Sequence, residues 1–170
     1  MTAMQSKPTY GPPILLDELI QGPIVVGVEE SNSVGRTFTT ALDVAMRAGS
    51  RLIVVSAYEP LHPGELRLAR REVPRDVAWR LGPDAAIQTL HEDLTEQAAA
   101  VGMTIECVAR QGAPAKVIVD VATAEQAGLV IVGNAETHGH RRRFRCVPDE
   151  VSRHAPCSVL IVDTAHALAA

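Results

Sequence analysis

The sequence predicts an α/β fold in three layers, a five-stranded parallel sheet with helices on both faces. Two observations carry the prediction. Short, β-branched, almost continuously apolar runs recur from Pro23 onward, the pattern of strands covered on both sides. Between them stand stretches with apolar residues at helical spacing. A strand–helix–strand alternation builds a parallel sheet, because each helix supplies a right-handed crossover. With 170 residues, 46% hydrophobic and 21% charged, the chain suits one sizeable core and not two ordinary domains.

Residues 1–22 hold prolines at 8, 12 and 13 and one short apolar patch at 14–16, and read as an extension outside the core. Residues 23–29 (PIVVGVE) form the first strand. Ser31, Asn32 and Ser33 offer caps for a helix over 34–48, whose apolar spacing includes Phe38, Leu42, Ala45 and Met46 and which Gly49 closes. Residues 51–58 (RLIVVSAY) repeat the buried-strand pattern, and Glu59-Pro60 ends it. Prolines, a glycine and dense charge make 61–82 a long crossover loop.

A helix over 84–101 follows, with Ala85, Ile87, Leu90, Leu94 and Ala98 at apolar spacing, Pro83 before it and Gly102 after. Residues 103–110 alternate apolar and polar, which suits an edge strand with one wetter face. The next helix, 113–126, carries Pro114 in its first turn and a stripe of Val117, Ile118, Val121 and Ala122. Residues 129–133, a short helix around 149–154 and a last strand at 158–163 complete the set. The domain thus spans 23–164, with 165–170 as a C-terminal tail.

Composition removes several classes of function. A formal net charge of −4 gives no general attraction to nucleic acid or to anionic membranes. No apolar run approaches the ~20 residues that span a bilayer, and the first nine residues lack the charged start and apolar centre of a secretory signal. The expectation is a cytoplasmic protein with no nucleic-acid and no membrane partner. Cys107, Cys146 and Cys157 are spaced for neither a disulfide framework nor a metal knuckle. Cys107 reads as a small buried residue; Cys146, among arginines, is the candidate for reactivity, because positive neighbours favour thiolate.

Taken together, the residues resemble the universal stress protein (UspA-like) family. The resemblance rests on IVVGV followed by an acid and Ser31, on the central helix VIVDVA, on LVIVGN at 129–134, and on VPDEVSRHAPCSVLIV at 147–162. It implies a Rossmann-like fold, close to the adenine nucleotide alpha hydrolases, with strand order 3-2-1-4-5. It also implies a homodimer paired through the last strand, which here offers Val159, Leu160, Ile161 and Val162.

Some members of that family bind ATP, and those resemble Gly-x2-Gly-x9-Gly-(Ser/Thr) after the fourth strand. The glycines let backbone amides approach phosphate oxygens, and the last hydroxyl donates to the terminal phosphate. On this pattern the nucleotide candidates are Glu29, Ser31, Ala57, Gly133, Asn134, Glu136, Gly139, Arg141, Arg145 and Cys146. The pattern is degenerate. Gly133 is kept, but Glu136 stands at the second glycine, and counting onward reaches Cys146-Val147, or Arg145-Cys146 with one deletion, where glycine and hydroxyl belong. The first-strand acid is Glu29, one methylene longer than the usual aspartate, and Ala57 holds the small apolar position late in the second strand.

A carboxylate such as Glu136 about 4 Å from a phosphate repels it by about 1 kcal/mol in water-like surroundings and several times more in a partly dry cleft. Against this, His138, His140, Arg141, Arg142, Arg143 and Arg145 could supply side-chain cations in place of amides. His138, His140 and Glu136 make a poor metal site beside so many arginines, so no metal is expected. Ser152 and His154 lie two apart on a helix and face differently, so no nucleophile–base pair forms, and no enzyme is expected.

The resulting expectation is a dimeric stress-response regulatory or interaction module with a degenerate nucleotide cleft, no bound cofactor and an unidentified protein partner. The alternative is a sensor that binds ATP or another adenine nucleotide through the Arg-rich loop.

Overall fold

The structure is a computed structural model and describes residues 15–29, 34–58, 83–134 and 146–164. In chain order these form α1 (Leu16–Leu19), β1 (Ile24–Gly27), α2 (Val34–Ala48), β2 (Leu52–Tyr58), α3 (Pro83–Ala100), β3 (Ile105–Gln111), α4 (Pro114–Ala124), β4 (Leu129–Gly133), α5 (Val147–His154) and β5 (Ser158–Val162). The five strands are parallel, in the order β3-β2-β1-β4-β5 that the family resemblance implies. The alternating stretch predicted at 103–110 forms an edge strand, over Ile105–Gln111.

Strand alternation divides the core in two. Ile24, Val26, Val54 and Ile131 point to one face, where Phe38, Ala41 and Ala45 of α2 and Leu94 and Ala98 of α3 cover them. Val25, Ile53, Val55, Val130 and Val132 point to the other, under Val117, Ile118, Val121 and Ala122 of α4 and Val151 of α5. Ile24, Val25 and Val26 of the central strand are wholly buried. Such side chains contribute about 1.5–3 kcal/mol each relative to exposure, so β1 anchors both layers.

Gly49 and Gly102 follow α2 and α3 with φ of 61° and 79°, the left-handed conformation that closes a helix at no steric cost. Met46 departs from its expected place on the buried stripe of α2 and is 49% exposed. It lies about 80° around the helix from Phe38, at the margin of the covered arc. The helix caps expected at Ser31, Asn32 and Ser33, and the crossover loop at 61–82, lie outside the described residues.

The chain before β1 is less detached than its prolines suggest. Ile20 is only 7% exposed and joins the core under α2. The Gly128 amide donates to the Pro23 carbonyl at 2.9 Å, and a Cβ on Gly22 would stand 2.6 Å from the Gln126 carbonyl oxygen. Residues 20–23, which the sequence reading assigns in part to the extension, therefore pack with the core, because this close approach of two backbones seats the segment before β1 on the turn before β4.

Candidate functional site

Connections run from β1 outward to β2 and β3 on one side, and β4 and β5 lie on the other, so strand order reverses between β1 and β4. At such a switch point the loops part and leave a crevice beyond the carboxyl ends of the strands. Val28 and Glu29 leave β1 there, and Gly133 and Asn134 leave β4. The Val28 amide donates to Val55 at 2.9 Å, which keeps the exit of β1 beside Ala57 at the end of β2.

Five of the ten nucleotide candidates are described. Glu29 is exposed, Ala57 is half-buried against the α4 side of the core, and Gly133 and Asn134 are half-buried. Cys146 is half-buried ahead of α5, where its carbonyl accepts from the Asp149 and Glu150 amides, each at 3.1 Å. Ser31, Glu136, Gly139, Arg141 and Arg145 lie outside the described residues, as do His138, His140, Arg142 and Arg143.

The exit of β4 has a structural occupation of its own. A Cβ on Gly133 would stand 2.6 Å from the Thr37 hydroxyl oxygen and 3.1 Å from Thr164 Cγ2, so a larger residue there must displace the buried Thr37 side chain whether or not a ligand approaches. The Asn134 amide donates to the Val162 carbonyl at 3.0 Å. Its side-chain oxygen accepts from the Thr164 amide at 2.8 Å and the Thr164 hydroxyl at 3.1 Å, and Nδ2 donates to Asp163 at 3.2 Å. Asn134 thus laces β4 to β5.

Two residues escaped the sequence reading. The hydroxyl of Ser56, a residue 1% exposed, meets His91 Nε2 of α3 at 2.9 Å. A serine inside the apolar run LIVVSAY was the available signal, since a buried hydroxyl demands a partner. His91, four residues after Ile87 on the inward side of α3, supplies it. Burial holds the His91 pKa below its ordinary value of 6.5. His91 borders a cavity of about 570 Å³ between α3 and the end of β2–β3, lined also by Tyr58, Glu92, Cys107 and Ala109.

Burial raises the Cys107 thiol pKa, partly offset by a contact with the Thr95 hydroxyl, and burial likewise raises that of Cys157 against a backbone hydrogen bond to Val130. Cys107 is half-buried, wetter than the strand pattern suggests, because β3 is an edge. Ser152 Oγ donates to the Asp149 carbonyl and His154 Nδ1 meets the Glu150 carbonyl, so each side chain serves its own helix and the two form no pair. Of the expected interface residues, Leu160 and Ile161 are 37% and 47% exposed, whereas Val159 is half-buried and Val162 is in the core. No helix among the described residues is long and apolar enough to cross a membrane.

A parallel five-stranded sheet in this order, with its switch point between β1 and β4, defines a Rossmann-like α/β architecture. The model of the universal stress protein family matches residues 22–163, and the chain belongs to that family. Two universal stress proteins of Mycobacterium tuberculosis are 34% identical to it over 143 residues, 83% of this chain and 95% of theirs. Among solved structures, a universal stress protein in complex with cAMP is 28% identical, with a TM-score of 0.66 over 86% of this chain and 99% of its own. The UspA protein of Lactobacillus plantarum is 20% identical, with a TM-score of 0.65 over 83% and 97%, a likeness of fold.

Proposed function

We propose that the protein is a stress-response regulatory module, without catalysis, whose cleft at the β1/β4 switch point is unsuited to ATP. The observation that carries this reading is the occupation of the β4 exit. Gly133 is packed on Thr37 and Thr164, and the Asn134 side chain is committed to Asp163 and Thr164. The Gly-x2-Gly-x9-Gly-(Ser/Thr) pattern that should follow is broken by Glu136. A triphosphate carries the most charge and needs the most converging amides, so it loses most from both changes.

A second reading is favoured by the relative solved with cAMP: the cleft takes an adenine nucleotide with a single phosphate group. One phosphate needs fewer donors, and Ala57 keeps a small side chain at the end of β2. The rest of the reading is a homodimer through β5, a protein partner and a cytoplasmic location. Exposed Leu160 and Ile161 on a strand with one open edge support the dimer, and the net charge of −4 speaks against nucleic acid.

The test is to denature the purified protein and assay what it releases, then to run a thermal-shift panel of ATP, AMP and cAMP. A ligand at 100 times its Kd stabilises by about 2.7 kcal/mol. A shift with cAMP or AMP and none with ATP supports the single-phosphate reading. No shift with any of them leaves the nucleotide-free module. Stoichiometric ATP released, or a shift with ATP, rejects the proposal.

A further inference from the structure

β3 is the edge strand opposite β5, and its two charged residues, Glu106 and Arg110, lie on the face away from α3. Its seven residues run in unbroken parallel register with β2, without proline or an inserted residue. The Gly112 amide donates to the Tyr58 carbonyl at 3.0 Å. Counting back by twos, the even-numbered amides of β3 face β2, so the N–H and C=O groups of Cys107 and Ala109 face outward. Among the described residues no strand pairs with them.

Beside this edge lies the cavity of about 570 Å³, with Cys107 and Ala109 on the strand side. The α3 side is lined by Glu92 and Glu96, exposed and one turn apart, and by His91 held on Ser56. No lysine or arginine lines it among the described residues; Arg110 directs its side chain to the opposite face of the sheet, as the residue after Ala109 must.

We propose that the outer edge of β3, together with the groove between β3 and α3, docks an extended basic segment of a partner protein as a sixth strand. The outward N–H and C=O groups of β3 pair with the segment's main chain. Alternate side chains of the segment enter the groove, where Glu92 and Glu96 select arginine or lysine. Main-chain pairing supplies affinity in this mode and the pockets for alternate side chains supply specificity. The inference rests on reading the chain as an interaction module and names the class of partner. Its test reads β3, whereas the nucleotide panel reads the β1/β4 crevice, so either result stands or falls alone.

The experiment presents the full chain with an array of hexapeptides in which positions 1, 3 and 5 run through all combinations of Arg, Glu, Ser and Leu, and positions 2, 4 and 6 are Thr or Val. Arginine-bearing peptides are expected to bind, and their glutamate counterparts are not. N-methylation of alternate backbone amides in the best peptide is expected to abolish binding. Glu92→Lys with Glu96→Lys should weaken it by about tenfold or more, two exposed ion pairs being replaced by repulsions. Ala109→Pro removes an outward N–H that the β2 ladder does not use, and should abolish binding while leaving the thermal unfolding temperature nearly unchanged.

Hydrogen exchange at the Cys107 and Ala109 amides should be fast in the free protein and slow with the peptide bound. Slow exchange in the free protein would overturn the proposal, because the chain would already occupy its own edge. So would equal binding of arginine and glutamate peptides, no binding by any peptide, binding that survives N-methylation, or protection that appears at β5 instead.

Discussion

Asn134 and Thr164 are bound twice through one oxygen: Asn134 Oδ1 accepts the Thr164 backbone amide at 2.8 Å and its hydroxyl at 3.1 Å. The bond joins the residue after β4 to the second residue after β5, and it places the first side chain of the expected phosphate loop in the service of the sheet. Removing that side chain, as in Asn134→Ala, leaves half-buried donors without their acceptor and should cost about 1–2 kcal/mol in urea unfolding. Asn134→Asp keeps the acceptor but sets a carboxylate against Asp163, so its cost should exceed that of alanine at pH 7 and shrink at pH 4. Equal stability of both variants and the parent would refute the structural role.

Gly133 and Thr37 are the second pair that defines the β4 exit. Gly133→Ala drives a methyl to within 2.6 Å of the hydroxyl oxygen of Thr37, a residue only 3% exposed. A destabilisation of about 1–3 kcal/mol is expected. If the Thr37 contact is the cause, the penalty should be smaller in a Thr37→Ala background. A double-mutant cycle with no coupling would show that the glycine is needed for another reason.

His91 gives stability a pH dependence with a definite sign. Burial lowers its folded pKa below the ordinary 6.5, so the unfolded chain binds the proton more readily. The stabilising neutral form is fully present above about pH 6.5 and is lost as pH falls through the folded pKa. Thermal unfolding temperatures between pH 8 and pH 5 should decline in the parent, and less steeply in His91→Gln, whose amide can still meet Ser56. Glu92, Cys107 and Tyr58 share the cavity, but the two curves differ only by the group replaced. Parallel curves would remove His91 from the account.

The last strand offers a test of assembly. Leu160→Glu combined with Ile161→Glu places charge on the two exposed large side chains of β5 while leaving buried Val162 in place. If β5 pairs two copies as proposed, the parent should sediment as a dimer and the double variant as a monomer with its unfolding transition intact. An unchanged sedimentation coefficient would move the dimer surface elsewhere.

Local pattern settled most of the elements here, because burial on both faces of a strand and on one stripe of a helix writes itself into the chain. The runs at β1, β2 and β4, the stripe of Val117, Ile118, Val121 and Ala122, and the closing glycines at 49 and 102 were all legible. The pattern failed where burial depends on a margin or on a distant neighbour. Met46 sits just beyond the covered arc of α2, and Ile20 is buried only because two backbones meet at Gly22 and Gly128.

The site divides in the same way. The sequence by itself determined the family, the broken glycine pattern and the order of elements, since these are properties of residues taken in line. Only the tertiary structure decided that Gly133 is held by Thr37 and Thr164, that Asn134 binds β5, and that Ser56 finds His91 across 35 residues. Each of those facts is a contact between segments far apart in the chain. A side chain's chemistry depends on what stands opposite it, and that is set by how the crossovers bring strands and helices together.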